Sequence, residues 1–225
     1  MKNKKLKIYL TFFFILLVNL KAFSEEQFTF EVTEIEILKE GNLFKGKKRG
    51  KILSDNGIVI TANEFGYDKI LNILIANGNV EIEDKINNYK IFTDEIQYFK
   101  NKDFIITSGN SKAIDNQNKI ITSKIFEYNR LKNIINANGE VIIEDKINKY
   151  TLVADNVTYK RNIGQISTKG KTKLFVETKY EIKSKDVILY EKKKIVKSKN
   201  KTRIKDDKAQ LFILDKFNYS INERI

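Results

Sequence analysis

The side chains able to do chemistry in this chain are carboxylates, lysines, tyrosines and hydroxyls, because His and Cys are both absent. Losing His removes the commonest general base and metal ligand, and losing Cys removes thiolate nucleophiles, Cys-ligated zinc and disulfides. The carboxylate pairs Glu83-Asp84 and Glu144-Asp145 come nearest to a glycosidase pair or a calcium site. They recur at the same place in two similar segments, each followed by a lysine (Lys85, Lys146), which favours a repeated solvated turn over an active site. Nothing resembles a nucleophile elbow, a phosphate loop or a metal motif, so the chain reads as a non-enzyme without a cofactor. The remaining chemical feature is cationic. The net charge is +13, and residues 171 to 225 hold 16 basic against 8 acidic residues. There Lys197, Lys199, Lys201 and Arg203 are candidates for contact with phosphate groups, although Lys on an exposed strand also serves to block unwanted edge pairing.

Part of the charge belongs to the start of the chain. Lys2, Lys4, Lys5 and Lys7 precede an apolar run from Ile8 to Val18, and Ala22 and Ser24 are the small residues expected before a cleavage point. Residues 1–24 read as a secretory signal peptide whose apolar run is too short for an ordinary membrane span. Residues 25–225 are then exported, which argues against a nucleic-acid partner. At 225 residues and 41% hydrophobic the chain is large enough to bury a core, and without Cys it must do so by packing alone.

The elements that position these residues come from an internal repeat. Ile60 to Tyr89 aligns without a gap on Ile121 to Tyr150, and Ala76-Asn77-Gly78-Asn79-Val80-Glu81-Ile82 returns as Ala137-Asn138-Gly139-Glu140-Val141-Ile142-Ile143. The 61-residue unit divides again at Tyr67, Tyr98, Tyr128, Tyr159 and Tyr190, with Tyr219 following. Eleven residues after each of the first four tyrosines stands a glycine (Gly78, Gly109, Gly139, Gly170), and Asn200 stands near that place in the fifth unit. Alternation has period two throughout, so the units are strands. A glycine inside a strand marks a bend, a bulge or a close approach, and Asn is the residue that best imitates it at positive φ. The expected fold is all-β, built from ~30-residue stacking repeats as an elongated, twisted, open antiparallel jelly roll. The alternative is a parallel β-helix, an exported adhesin or polysaccharide-binding module with a filled core; polar turns such as Asp68-Lys69 and Asn129-Arg130 favour antiparallel reversals.

A strand ending in Tyr, a polar turn, and then Ala-x-Gly-Asn-Val-x-Ile resembles the OstA-like family of periplasmic lipopolysaccharide transport proteins, over about residues 60 to 219. Thr93-Asp94, Ala154-Asp155 and Leu214-Asp215 are similar to the small residue and Asp that open the Tyr strand, whereas Asn63 and Lys124 depart from that Asp and Lys171-Thr172 departs from Asn-Val. The early segment Glu31 to Leu38, with Gly41-Asn42 and Ser54-Asp55-Asn56-Gly57, is most similar to the N-terminal periplasmic domain of the outer-membrane assembly protein, with the free bridge protein second.

The resemblance implies a periplasmic, non-catalytic carrier of lipopolysaccharide toward the outer membrane, associated with the outer-membrane assembly complex. Its jelly roll joins others of its kind by edge-strand addition, and stopping after the sixth Tyr suggests a domain, 25–225, cut short at its C-terminal end. It also implies an open apolar groove for acyl chains, since each exposed methylene costs about 0.8 kcal/mol relative to an apolar site. On the inward parity the candidate lining residues are Ala76, Val80, Ile82, Ile96, Ile105, Ala137, Val141, Ile143, Val157, Ile188 and Phe217.

Overall fold

A computed structural model describes residues 28–177 and 179–220, and the expected signal peptide and the last five residues lie outside the described residues. The strands are β1 (Phe28–Glu31), β2 (Glu34–Leu38), β3 (Leu43–Lys47), β4 (Gly50–Ser54), β5 (Ile58–Ala62), β6 (Glu64–Asp68), β7 (Ile73–Asp84), β8 (Tyr89–Phe99), β9 (Phe104–Ser108), β10 (Ser111–Asp115), β11 (Ile120–Ser123), β12 (Ile125–Asn129), β13 (Ile134–Asp145), β14 (Tyr150–Lys160), β15 (Gln165–Val176), β16 (Tyr180–Lys185), β17 (Ile188–Tyr190), β18 (Ile195–Ser198), β19 (Thr202–Lys205), β20 (Leu211–Leu214) and β21 (Phe217–Ser220). Every pairing among them is antiparallel, which excludes the parallel β-helix.

The register sorts the strands into two columns that face each other as an elongated jelly roll. One column runs β2, β3, β6, the first half of β7, the second half of β8, β9, β12, the first half of β13, the second half of β14, the first half of β15, β17, β18 and β21. The other runs β1, β4, β5, the second half of β7, the first half of β8, β10, β11, the second half of β13, the first half of β14, the second half of β15, β16, β19 and β20. Five long strands therefore cross from one column to the other, and each must bend midway.

Three of the recurring glycines lie at these bends, in β7, β13 and β15, whereas Gly109 holds the same level in the short connection between β9 and β10, and β8 and β14 bend at Asp94 and Asp155 without a glycine. Gly78, Gly109, Gly139 and Gly170 all have φ between 75° and 87°, a region that L side chains rarely enter. The ladder slips at Asn77/Val80 and Asn138/Val141, so Gly78 and Gly139 sit in bulges with Asn79 and Glu140, themselves at positive φ. Each of the four glycine carbonyls accepts an N–H from the turning point of the facing chain: Asn63, Asp94, Lys124 and Asp186. Asn200 departs from the expectation: its φ is not positive, and its side chain instead donates to the Lys185 carbonyl at 3.2 Å. At that level β18 and β19 are separate strands, as β9 and β10 are around Gly109.

Outer turns are set by Asp and Asn. Asp84 Oδ1 accepts the N–H groups of Ile86 and Asn87 at 3.1 and 3.0 Å, and Asp68 and Asp145 work alike. Asn72, Asn88, Asn118 and Asn133 take the left-handed position that ends such a turn.

Inward residues from both columns form one core. The tyrosine slot, opposite Leu74, Ile105, Ile135 and Ile166, is filled by Tyr67, Tyr98, Tyr128 and Tyr159. In the fifth unit the expected Tyr190 is displaced by one: Leu189 pairs with Ile166 and Val196, and Tyr190 and Ile188 turn outward. The rhythm alternates between steps of 31 and 30 residues, and the next short step from Tyr159 ends on Leu189. Ile188 is therefore corrected: Val187 and Leu189 are the inward residues there.

Replacing a bend glycine forces a Cβ into positive φ. Gly78→Ala is expected to lower stability in urea unfolding by roughly 1–2 kcal/mol, and Gly109→Ala by more, since its Cβ would collide with the Asp94 carboxylate. Equal stability to the parent in both would mean that the bends tolerate a side chain.

Candidate functional site

Apart from Ile188, every candidate lining residue is inward and almost fully buried, from Ala76, Ile82, Ile105, Val141 and Ile143 at 0% exposure to Phe217 at 6%. They form a packed core rather than the expected open groove. Where the sequence replaces Ala-x-Gly-x-Val by hydroxyl residues, the hydroxyls satisfy one another inside: Thr107 to Ser111 at 2.6 Å and Thr168 to Thr172 at 2.6 Å.

The two columns meet again at the rims opposite the bends, and this seam is polar. One rim consists of the turns after β6, β8, β12, β14 and β17, the other of the turns after β4, β7, β10, β13 and β15. Arg130 reaches across to grip Asp84, with Nε on Oδ2 at 2.8 Å and Nη2 on Oδ1 at 3.2 Å, while Nη1 holds Asp103 at 2.6 Å and Nη2 also meets the Asn56 carbonyl at 3.0 Å. Tyr128 donates to Asp84 at 2.8 Å, Tyr98 donates to Asp103 at 2.8 Å, and Lys100 pairs with Asp55. Further along, Lys119 on one rim pairs with Glu191 on the other at 2.5 Å and with Asp145 beside it at 3.3 Å. Tyr150 and Tyr159 both donate to Glu191, at 2.7 and 2.8 Å. Between these two clusters Arg161 donates to the Asn87 carbonyl at 2.7 Å and lies 3.8 Å over the Tyr89 ring.

Asp84 and Asp145 are thus not the solvated turn residues expected: they are 1% and 4% exposed, Asp84 held by Arg130 from the other rim and Asp145 by Lys119 beside it. Their recurrence reflected a shared structural duty, because the same Asp caps the turn and accepts a cation. Burial alone would raise the Asp84 pKa, but hydrogen bonds from Arg130 and Asn87 outweigh it and hold the carboxyl at about 2. Burial opposes the charge on Lys119, yet Glu191 and Asp145 keep its pKa above the usual lysine value. Burial raises Tyr89 and Tyr150, keeping both phenols neutral. Asn56 Oδ1 and the Tyr89 hydroxyl are the two side-chain atoms buried without a hydrogen-bond partner among the described residues, and both lie in the seam. Such a group typically costs about 1–3 kcal/mol, and a buried ion pair adds little net stability. The seam is therefore the weak side of a molecule whose other side is continuous strand.

The phosphate candidates divide. Lys201 and Arg203 line a cavity of about 1070 Å³ on the outer face together with Lys171, Lys173, Lys183 and Lys185, above Ile142 and Val153. Lys197 lies over the Tyr190 ring at 4.9 Å instead, and Lys199 is exposed outside this cavity. The lysines from β15 and β16 were missed because a single strand shows only alternate lysines. Among the described residues no group of acidic or other ligating side chains is placed to hold a metal.

No family model and no curated protein matches the chain. Among solved structures it is similar to the crystal structure of LptH, the LptA-homologous periplasmic component of the lipopolysaccharide transport device from Pseudomonas aeruginosa. The identity is 16% with a TM-score of 0.46, covering 51% of this chain and 83% of that one. Hsv2 of Kluyvelomyces marxianus matches at 9% identity and TM-score 0.16 over 86% of this chain and 99% of that one. With both scores below 0.5, the fold rests on this chain's own strand register.

Two outcomes test the seam. Arg130→Met leaves the buried Asp84 and the half-buried Asp103 carboxylates without their cation and is expected to lower stability by roughly 3–5 kcal/mol, whereas Arg130→Met with Asp84→Leu loses less than the sum of the two single changes. Additive losses in a double-mutant cycle would show that the pair is not coupled. Because Asp84 titrates at about 2 when folded against 3.8 ordinarily, its contribution is complete above pH ~4 and disappears as pH falls through about 2. The free energy of unfolding should drop by on the order of 2 kcal/mol over that interval, and Asp84→Asn should flatten this part of the curve.

Proposed function

We propose that this chain is a periplasmic, non-catalytic carrier that takes the acyl chains of lipopolysaccharide between its two columns and passes the lipid toward the outer membrane. The observation that supports this most is the inward row, apolar apart from buried hydroxyls such as Thr107, Ser111, Thr168 and Thr172, which runs from Phe28 in β1 through Val80, Ile96, Ile143 and Val157 to Phe217 in β21. A chain of methylenes needs a continuous lining, and stacked repeats supply one along the whole axis. The repeated Ala-x-Gly-x-Val-x-Ile segments, by their resemblance to the OstA-like family, point to the same cargo.

Both ends of the jelly roll carry edges. Strands β1, β2, β20 and β21 each have a single partner, and all four residues of β20 are exposed, Leu211 at 60% and Ile213 at 53%. An exposed apolar edge without Pro invites strand addition, which supports another jelly roll of the same kind, or the outer-membrane assembly complex, as partner. The filled interior and the outer cationic cavity favour a second reading, an exported module that binds an anionic polysaccharide on its outside.

One experiment separates them. A photo-crosslinking residue at Ile143, its outward neighbour Ile142, or Phe212 is placed in the exported protein in cells. The carrier reading predicts lipopolysaccharide captured at Ile143 and not at Ile142, and a protein captured at Phe212. Lipid or polysaccharide captured only at Ile142, beside the cationic cavity, would replace it with the second reading.

A further inference from the structure

The bends and the seam divide the work of closing the interior unequally. On the bend side the two columns are one covalent strand five times over, so no amphiphile can pass there without breaking ladders. On the seam side no strand among the described residues crosses; the rims touch through side chains and a few carbonyls. Those contacts come in two clusters, one around Arg130 and one around Lys119 and Glu191, joined by Arg161 over Tyr89. Both buried side-chain atoms without a partner, Asn56 Oδ1 and the Tyr89 hydroxyl, lie along this line.

The outer lip of the seam has its own character. The turn tips place Ile70, Leu71 and Leu131 on one rim and Ile86 and Ile147 on the other, each between 61% and 75% exposed. Ile163, in the turn after β14, adds a further apolar tip at 55% exposure, and the other turn positions are mostly Asp, Asn, Gly and Lys. Apolar tips set among Lys69, Lys85, Lys132 and Lys146 form an amphipathic border that fits a molecule with acyl chains and anionic groups, and it stands over the one side of the interior that side chains alone hold shut.

We propose that the seam is the port through which an acyl chain reaches the core: it first lies against the lip, and the Arg130 and Lys119–Glu191 clusters part as a latch to admit it sideways. This rests on the carrier reading and adds a route to it. The latch groups are not stranded when they part, because both rims are turns at the surface where water replaces their partners. The apolar face uncovered at the same moment is covered by the incoming chain. Cargo therefore need not thread from the ends, where β1, β2, β20 and β21 remain free to pair.

The absence of Cys gives a clean test. Lys85 and Lys132 are exposed turn residues on opposite rims, adjacent to the Asp84–Arg130 contact. Lys85→Cys/Lys132→Cys is folded first and then bridged with a short bismaleimide, and uptake of a fluorescent fatty acid below its micelle concentration is compared before and after bridging. A same-rim bridge between Lys132→Cys and Asn162→Cys serves as control. The expected result is uptake by the unbridged and same-rim proteins and loss of uptake in the cross-seam protein. Equal uptake in all three overturns the port and leaves the carrier, with cargo arriving through the ends. No uptake by any of them, with the strand signal intact, overturns the carrier reading and the port with it.

Discussion

The structure depends on one backbone constraint, that strands long enough to span two columns must bend where they change column. Gly78, Gly139 and Gly170 meet it in β7, β13 and β15 by entering positive φ, β8 and β14 turn at Asp94 and Asp155, and the carbonyls of these glycines and of Gly109 pin the turning points of the facing chain. From that bend follow the two faces, the single inward row, and the fact that the rims come together on the opposite side. Hydrogen bonds close the bend side, whereas ion pairs and phenols close the other. The two sides differ in kind as well as in strength, because a ladder repeats at every residue and the latch is gathered in two clusters.

The closed interior bears directly on the proposed carrier function. A carrier must hide methylenes from water, and an empty apolar groove would expose the same surface whenever cargo was absent. Packing Val80, Ile96, Ile143 and Val157 against one another answers that requirement in the free protein, at the cost of needing a way to separate. The seam supplies a place where separation breaks side-chain contacts only. Asp84 holds its charge well below neutral pH through Arg130 and Asn87, and Asp145 does so through Asn148 and Lys119, so both stay ionised around neutral pH.

Much of the fold was legible in the sequence, since period-two alternation, Asp and Asn turns and glycines at one register are local signals with local causes. Tyrosine spacing points to Ile188, whereas the 61-residue pair of steps, 31 then 30, lands on Leu189. The seam was not legible. Arg130 and Asp84 stand 46 residues apart and Lys119 and Glu191 stand 72 apart, and only the column arrangement makes them neighbours. A recurring Asp beside a Lys looks like a wet turn until a cation from the other rim is placed against it. The outer cavity was half legible, through Lys201 and Arg203, because its remaining lysines come from strands adjacent in space and remote in sequence.

The central claim is that acyl chains lie against the inward isoleucines. Protein labelled at isoleucine δ1-methyl groups, bound to a short-chain fatty acid, would report it by magnetisation transfer from the acyl chain. The account predicts cross-peaks to Ile82, Ile96, Ile105 and Ile143 and none to the outward Ile75 and Ile142. Cross-peaks confined to Ile75 and Ile142, or to no isoleucine while the ligand is bound, would contradict it.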